Sequence, residues 1–112
     1  MIDLPAALAL AAREGLRVRR ADLGEWGAAG ALLAEYDRAA RTISLNARVL
    51  ARLSARGGAA CAERFQTCAI LHELYHHRHP RGGEAAAHAF AREHSGSEPR
   101  EFEALLGARI FG

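Results

Sequence analysis

The sequence contains no lysine, and its 15 arginines exceed the 13 acidic residues by only enough to give a net charge of +2. Because this charge is small and scattered, it argues against a nucleic-acid partner. The chain also lacks an apolar run long enough to cross a bilayer, which argues against a membrane protein. Residues 1–15 have an acid at Asp3 and no basic start, so they predict a short helix rather than a signal peptide.

Cysteine is also scarce, since Cys61 and Cys68 are the two in the chain. In one predicted helix their Cα atoms would lie about 10 Å apart, which is beyond the reach of a disulfide. Two free thiols are typical of a reducing compartment, so we expect a cytoplasmic protein. Half of the chain is hydrophobic, which at 112 residues fits a single domain, residues 1–112, with one modest core.

The apolar pattern predicts an α+β fold, because strand-like alternation in the first half gives way to helical spacing in the second. A helix is expected over residues 5–14, and a short half-exposed strand at the start of residues 16–24. Residues 31–37 and 41–46 predict a β-hairpin with one face on the core. The small sheet should pack on the helices that follow it.

Four helices are predicted after the hairpin. The first begins at Ala47 and ends before the Gly57–Gly58 pair. The longest, residues 60–78, ends ahead of Pro80, because the residue before a proline avoids the helical region. Two more helices should run from Gly83 to about His94 and from about Pro99 to Gly107.

HELYH, residues 72–76, places two histidines one helical turn apart. About 6 Å of rise and 40° of rotation separate His72 from His76, so both imidazoles can bind one ion at about 2.1 Å. Glu73 projects beside that ion, where it can accept a proton from an activated water and act as the catalytic base. The spacing is typical of a zinc-protease helix. Because all six histidines lie between positions 72 and 94, the alternative is an amphipathic helix in a histidine-rich segment.

A third ligand is expected from the helix after Gly82–Gly83. A tight turn would bring Glu84 beside His76 and His88 beside His72. Glu84 is therefore the predicted third ligand, and His88 a hydrogen-bond partner for the second ring nitrogen of His72. The alternative role for Glu84 is to stabilise the N-terminus of its helix. Three side chains are candidates for stabilising an oxyanion: Tyr75, His88 and His94.

HELYH followed by EAAAHAFA, residues 84–91, resembles the ImmA/IrrE-type zincin-like metallopeptidases, in which HExxH precedes a helix of the form ExxANxFA. The segment EYDRAARTISLN, residues 35–46, is similar to the hairpin of that family, whose strand has the form RxIxLN. His88 stands where the family usually has asparagine or aspartate, and the gap between the two motifs is short for the family. The resemblance implies a small gluzincin-like domain. It also implies zinc held by His72, His76 and Glu84, with Glu73 as the base.

These patterns predict a zinc-dependent peptidase that acts on a protein or peptide substrate. Some members of the family cut a repressor, so a regulatory protein partner is a further expectation from the resemblance. The strand residues Thr42, Ile43 and Ser44 are predicted at the sheet edge, where an extended substrate can add as a further strand. The alternative is a zinc-dependent binding or regulatory module without turnover.

The last segment of the chain has apolar residues at roughly helical spacing. This pattern predicts a helix that caps the core. The alternative hypothesis is that residues 109–112 lie along the substrate cleft beside residues 41–46 and block it.

Overall fold

The computed structural model describes residues 1–24 and 26–112, which form four helices and five short strands in the predicted α+β arrangement. In chain order the elements are α1 (Leu4–Arg13), β1 (Arg17–Ala21), β2 (Ala31–Leu32), β3 (Ala34–Asp37), β4 (Thr42–Asn46), α2 (Ala47–Arg78), α3 (Glu84–Ser95), α4 (Arg100–Leu106) and β5 (Ile110–Phe111). Within this described part of the chain, no helix has the length and apolar character that a bilayer-spanning segment needs.

The main sheet has the strand order β1-β4-β3. The predicted hairpin is present, since β3 and β4 are antiparallel with Ala34 opposite Leu45. The predicted position of β4 at the sheet edge is wrong. Thr42, Ile43 and Ser44 lie in the central strand, because β1 pairs with β4 in parallel on the side away from β3. Their ladder positions are occupied on both sides, so a substrate strand cannot add to them.

The C-terminal segment caps the core and extends to a second, two-stranded sheet. Phe102 is fully buried, and its ring meets the ring of Phe65 edge-on at a centroid distance of 5.4 Å. Beyond α4, β5 pairs in parallel with β2, with Ile110 opposite Ala31. The hypothesis that residues 109–112 lie beside β4 is therefore wrong. Backbone hydrogen bonds and the buried side chain of Ile110 hold this end of the chain against β2 instead.

Helix α2 runs through the middle of the molecule and carries HELYH. It is broken at Gly58, whose φ of 87° and ψ of 175° are not helical, so the predicted stop near Gly57–Gly58 is confirmed. At its start the Asn46 side chain accepts from the backbone N–H of Arg48. Its end at His79, just before Pro80, is also as predicted.

The second segment of α2 lies in the core. Cys61 and Cys68 are both buried free thiols. Burial raises the pKa of Cys68 to about 12, so this thiol is a core residue rather than a metal-binding thiolate.

Helices α2 and α3 form a tight helical hairpin. Gly82 lies against Tyr75, and a Cβ added there would come within 2.5 Å of the Tyr75 ring. Ala87 and Ala91 are fully buried, and such small side chains let α3 approach α2 closely. The HELYH residues therefore face the first turns of α3.

Candidate metal centre

Four side chains from the two facing helices form one cluster. His72 and His76 come from α2, while Glu84 and His88 come from α3; each pair is one helical turn apart and shares a face. The carboxylate of Glu84 lies between the imidazoles of α2, with Oε2 3.0 Å from Nε2 of His72 and Oε1 2.7 Å from Nε2 of His76. Nε2 of His88 is 3.9 Å from Oε2. Three ring nitrogens thus converge on one carboxylate.

Several polar atoms at this cluster are buried without a hydrogen-bond partner among the described residues. They are Nδ1 of His72, Oε2 of Glu73 and Nε2 of His76. Nε2 of His76 is close to Glu84, but the two groups do not have the geometry of a hydrogen bond. A buried polar atom without a partner costs about 1–3 kcal/mol, and a cation in the gap would offset that cost for the atoms that face it.

The spacing of the donor atoms fits a bound metal ion. In each of two overlapping groups, the ligand atoms lie within 4.8 Å of one another: His72 with Glu73 and His76, and His72 with Glu84 and His88. Imidazole nitrogens and carboxylate oxygens are ligands for divalent transition metals. The chain therefore contains histidine and glutamate groups that could hold a metal ion.

Burial controls the charge of the two most enclosed residues of HELYH. It lowers the pKa of His72 to about 4, although the negative charge of Glu84 opposes this shift. The His72 ring is therefore neutral at neutral pH, which is the form that binds a metal. Burial also raises the pKa of Glu73 to about 8, and the negative charges of Glu84 and Glu35 add to the shift.

His88 does not make the hydrogen bond that was predicted for it. Its ring is 4.9 Å from the ring of His72, centroid to centroid, but Nδ1 of His72 has no partner within the described residues. The two rings instead lie at 46° to each other, and Nε2 of His88 is 3.9 Å from the Glu84 carboxylate. The reason is that Glu84 and His88 occupy the same face of α3.

The other two oxyanion candidates belong to a row of rings that leads away from the cluster. The Tyr75 ring meets those of His76 and Phe90, at 6.0 and 5.7 Å between centroids. The His94 ring packs on Phe90 at 4.5 Å. Tyr75 therefore contacts a predicted ligand directly, while His94 is joined to the cluster through Phe90 and Tyr75. Their role towards an oxyanion stays a prediction.

A polar network that no sequence pattern indicated joins β3 to the end of α2. The Tyr36 hydroxyl lies 2.6 Å from Nδ1 of His77. Glu14, the residue after α1, accepts from the Arg78 guanidinium, and its Oε1 is also 3.9 Å from Nε2 of His77. On the outer side the Arg38 guanidinium donates to the backbone carbonyl of His76 at 3.2 Å. These contacts hold the edge strand β3 beside the turn of helix that carries His76.

Neither protein-family models nor curated proteins nor solved structures gave a match to this chain. The geometry of the cluster, together with the motif resemblance, is therefore the basis for a functional proposal.

Proposed function

We propose that the protein is a zinc-dependent peptidase, in which His72, His76 and Glu84 hold the zinc and Glu73 is the catalytic base. One observation carries the proposal. Glu73 is 4% exposed, next in sequence to one predicted ligand, and has a buried carboxylate oxygen without a hydrogen-bond partner. A site that only stabilises a fold does not need a carboxylate held in this way. The resemblance of residues 72–76 and 84–91 to the ImmA/IrrE-type peptidases supports the same assignment.

The donor set suits zinc. Two imidazoles and one carboxylate are a common set for catalytic zinc, which keeps its fourth position open. Zinc bound there would supply a Lewis acid that lowers the pKa of a water molecule. Both ring nitrogens that face Glu84 are Nε2 atoms, so the two histidines offer equivalent donors to one ion.

Glu73 would act first as the general base and then as the general acid. Ionised beside the positive charge of a bound metal, which would oppose the raised pKa, its carboxylate would accept a proton from the attacking water and then deliver that proton to the leaving amine. Because Oε2 has no hydrogen-bond partner in the described chain, no protein donor competes for the proton-accepting oxygen.

The substrate would add to β3, which is an edge strand of the three-stranded sheet. The hydrogen bond between Tyr36 of β3 and His77 fixes this edge next to His76. An extended peptide that pairs with residues 34–37 would therefore pass the metal centre. This assignment replaces the one that the sequence suggested for β4.

Peptide cleavage tests the proposal with two variants of the same chemical change. Glu73→Gln should lower the rate by roughly 100-fold or more, because general-base catalysis contributes about that much, and should keep its zinc. Glu93→Gln, an exposed position on α3, is the matched control and should cleave at the wild-type rate. Equal rates in wild type and Glu73→Gln would remove the assignment of Glu73 as the base.

A further inference from the structure

The four cluster residues supply one more donor than a catalytic zinc site uses. His72 and His76 on α2 face Glu84 and His88 on α3, so two pairs of donors enclose one gap. In a tetrahedral zinc site with bonds of about 2.1 Å, the ligand atoms lie about 3.4 Å from one another. Nε2 of His88 lies 3.9 Å from Oε2 of Glu84. This distance is close to the tetrahedral value for that pair of atoms.

We propose that His88 is a fourth protein ligand, which binds the zinc in the position that water needs and keeps the site closed until substrate displaces it. The inference rests on the proposed zinc site and adds a way to keep the zinc inactive until substrate binds. His72, Glu84 and His88 already form a group of donor atoms within 4.8 Å of one another. Asparagine, which the resembling peptidases usually have at this position, could not serve in the same way, because a neutral amide is a much weaker zinc ligand than an imidazole.

The exposure of the three histidines indicates which of them can leave the metal. The side chain of His72 is fully buried and that of His76 is 21% exposed, whereas that of His88 is 36% exposed. Rotation of His88 towards solvent would not disturb the core, whereas rotation of His72 would. The closed site therefore opens at His88, and it opens on the solvent side where a peptide can approach.

The second ring nitrogen of His72 argues against an orienting role for His88. If His88 served to orient His72, Nδ1 of His72 would donate to it, yet that atom has no hydrogen-bond partner among the described residues. The contact between the two rings, 4.9 Å between centroids, is instead the packing expected of two imidazoles that bind one ion.

X-ray absorption at the zinc edge counts the imidazole ligands and tests the inference without any substrate. Zinc-loaded wild type should have three imidazoles, and His88→Asn should have two. His94→Asn, on the same helix, is the control for the count and should keep three. Two imidazoles in zinc-loaded wild type would overturn the inference and leave the proposed zinc site intact. Failure of wild type to bind zinc would overturn both.

The cobalt-substituted protein gives a second measurement that does not depend on counting ligands. The probe is acetohydroxamate, a small ligand that needs an open position on the metal. It should bind His88→Asn at roughly tenfold lower concentration than wild type, because in wild type it must first displace His88. Equal affinity in the two proteins would show that the position is already open in wild type and would overturn the inference.

Discussion

Nε2 of His76 and Oε1 of Glu84 lie 2.7 Å apart across the gap between α2 and α3, but they do not form a hydrogen bond. A tetrahedral zinc ion would hold its ligand atoms about 3.4 Å apart, so zinc binding would move these two groups slightly away from each other. The pair also shows how the turn of five residues, 79–83, assembles the candidate metal site. This turn brings a carboxylate from the start of α3 next to the last turns of α2.

The first prediction concerns the ligands. Wild-type protein purified without an affinity tag should contain about one zinc per chain by elemental analysis, because three protein ligands from one chain are enough to hold one zinc ion. His72→Ala or His76→Ala should abolish binding, and Glu84→Ala should weaken it strongly. Full zinc occupancy in Glu84→Ala would contradict the assignment of Glu84 as a ligand.

The second prediction concerns the C-terminal strand. Removal of residues 108–112 should lower the free energy of unfolding by about 1–3 kcal/mol, because Ile110 is 7% exposed and β5 completes the pair with β2. Thermal unfolding measures the loss, and peptidase activity should not rise. Phe111→Ala is the control, since this side chain is 48% exposed and should contribute little. Activation by the truncation without loss of stability would restore the hypothesis of a blocking tail.

The third prediction concerns pH. The hydrogen bond from Arg78 lowers the pKa of Glu14 below its ordinary value of 4.5. A carboxyl whose pKa is lowered on folding stabilises the protein above its unfolded pKa, and the contribution is lost as the pH falls through the lower, folded pKa. Glu14→Gln should therefore cost up to about 1 kcal/mol at pH 7, since the pair is partly exposed.

Urea unfolding of wild type and Glu14→Gln at several pH values measures this cost. The difference in the free energy of unfolding between the two proteins should shrink as the pH falls below the ordinary pKa range of carboxyl groups. Glu93→Gln, which is exposed, should show no such dependence. A constant difference at all pH values would mean that Glu14 stabilises the fold by packing rather than by its charge.

Local patterns in the sequence were sufficient to predict the helices and the neighbours within the site. The spacing of His72 and His76 follows from the geometry of one helix. The approach of Glu84 to His76 follows from the short turn at Gly82–Gly83, where few paths are open to the chain. These relationships involve residues that are close in sequence, and for that reason they could be derived without a structure.

The order of the strands could not be derived in the same way. The alternation of apolar and polar side chains in residues 41–46 predicts a strand, but it does not indicate which strands lie beside it. The parallel pairing of β1 with β4 joins parts of the chain that are distant in sequence. The pairing of β2 with β5 gave no signal, because a strand of two residues has no measurable period. The contact between His77 and Tyr36 also gave no signal, because nothing in the local sequence of either residue indicates it.

In the proposed function, Glu73 catalyses peptide hydrolysis at a zinc ion held by His72, His76 and Glu84. Zinc-dependent cleavage of a peptide library tests this assignment most directly. Glu73→Gln is made in both wild type and His88→Asn, so that activity is also measured in a protein whose site His88 does not close. We expect cleavage that a chelator removes and zinc restores. In Glu73→Gln the rate should fall roughly 100-fold or more, with zinc content unchanged. Cleavage that Glu73→Gln leaves unchanged, or its absence from zinc-loaded protein in both backgrounds, would contradict this assignment.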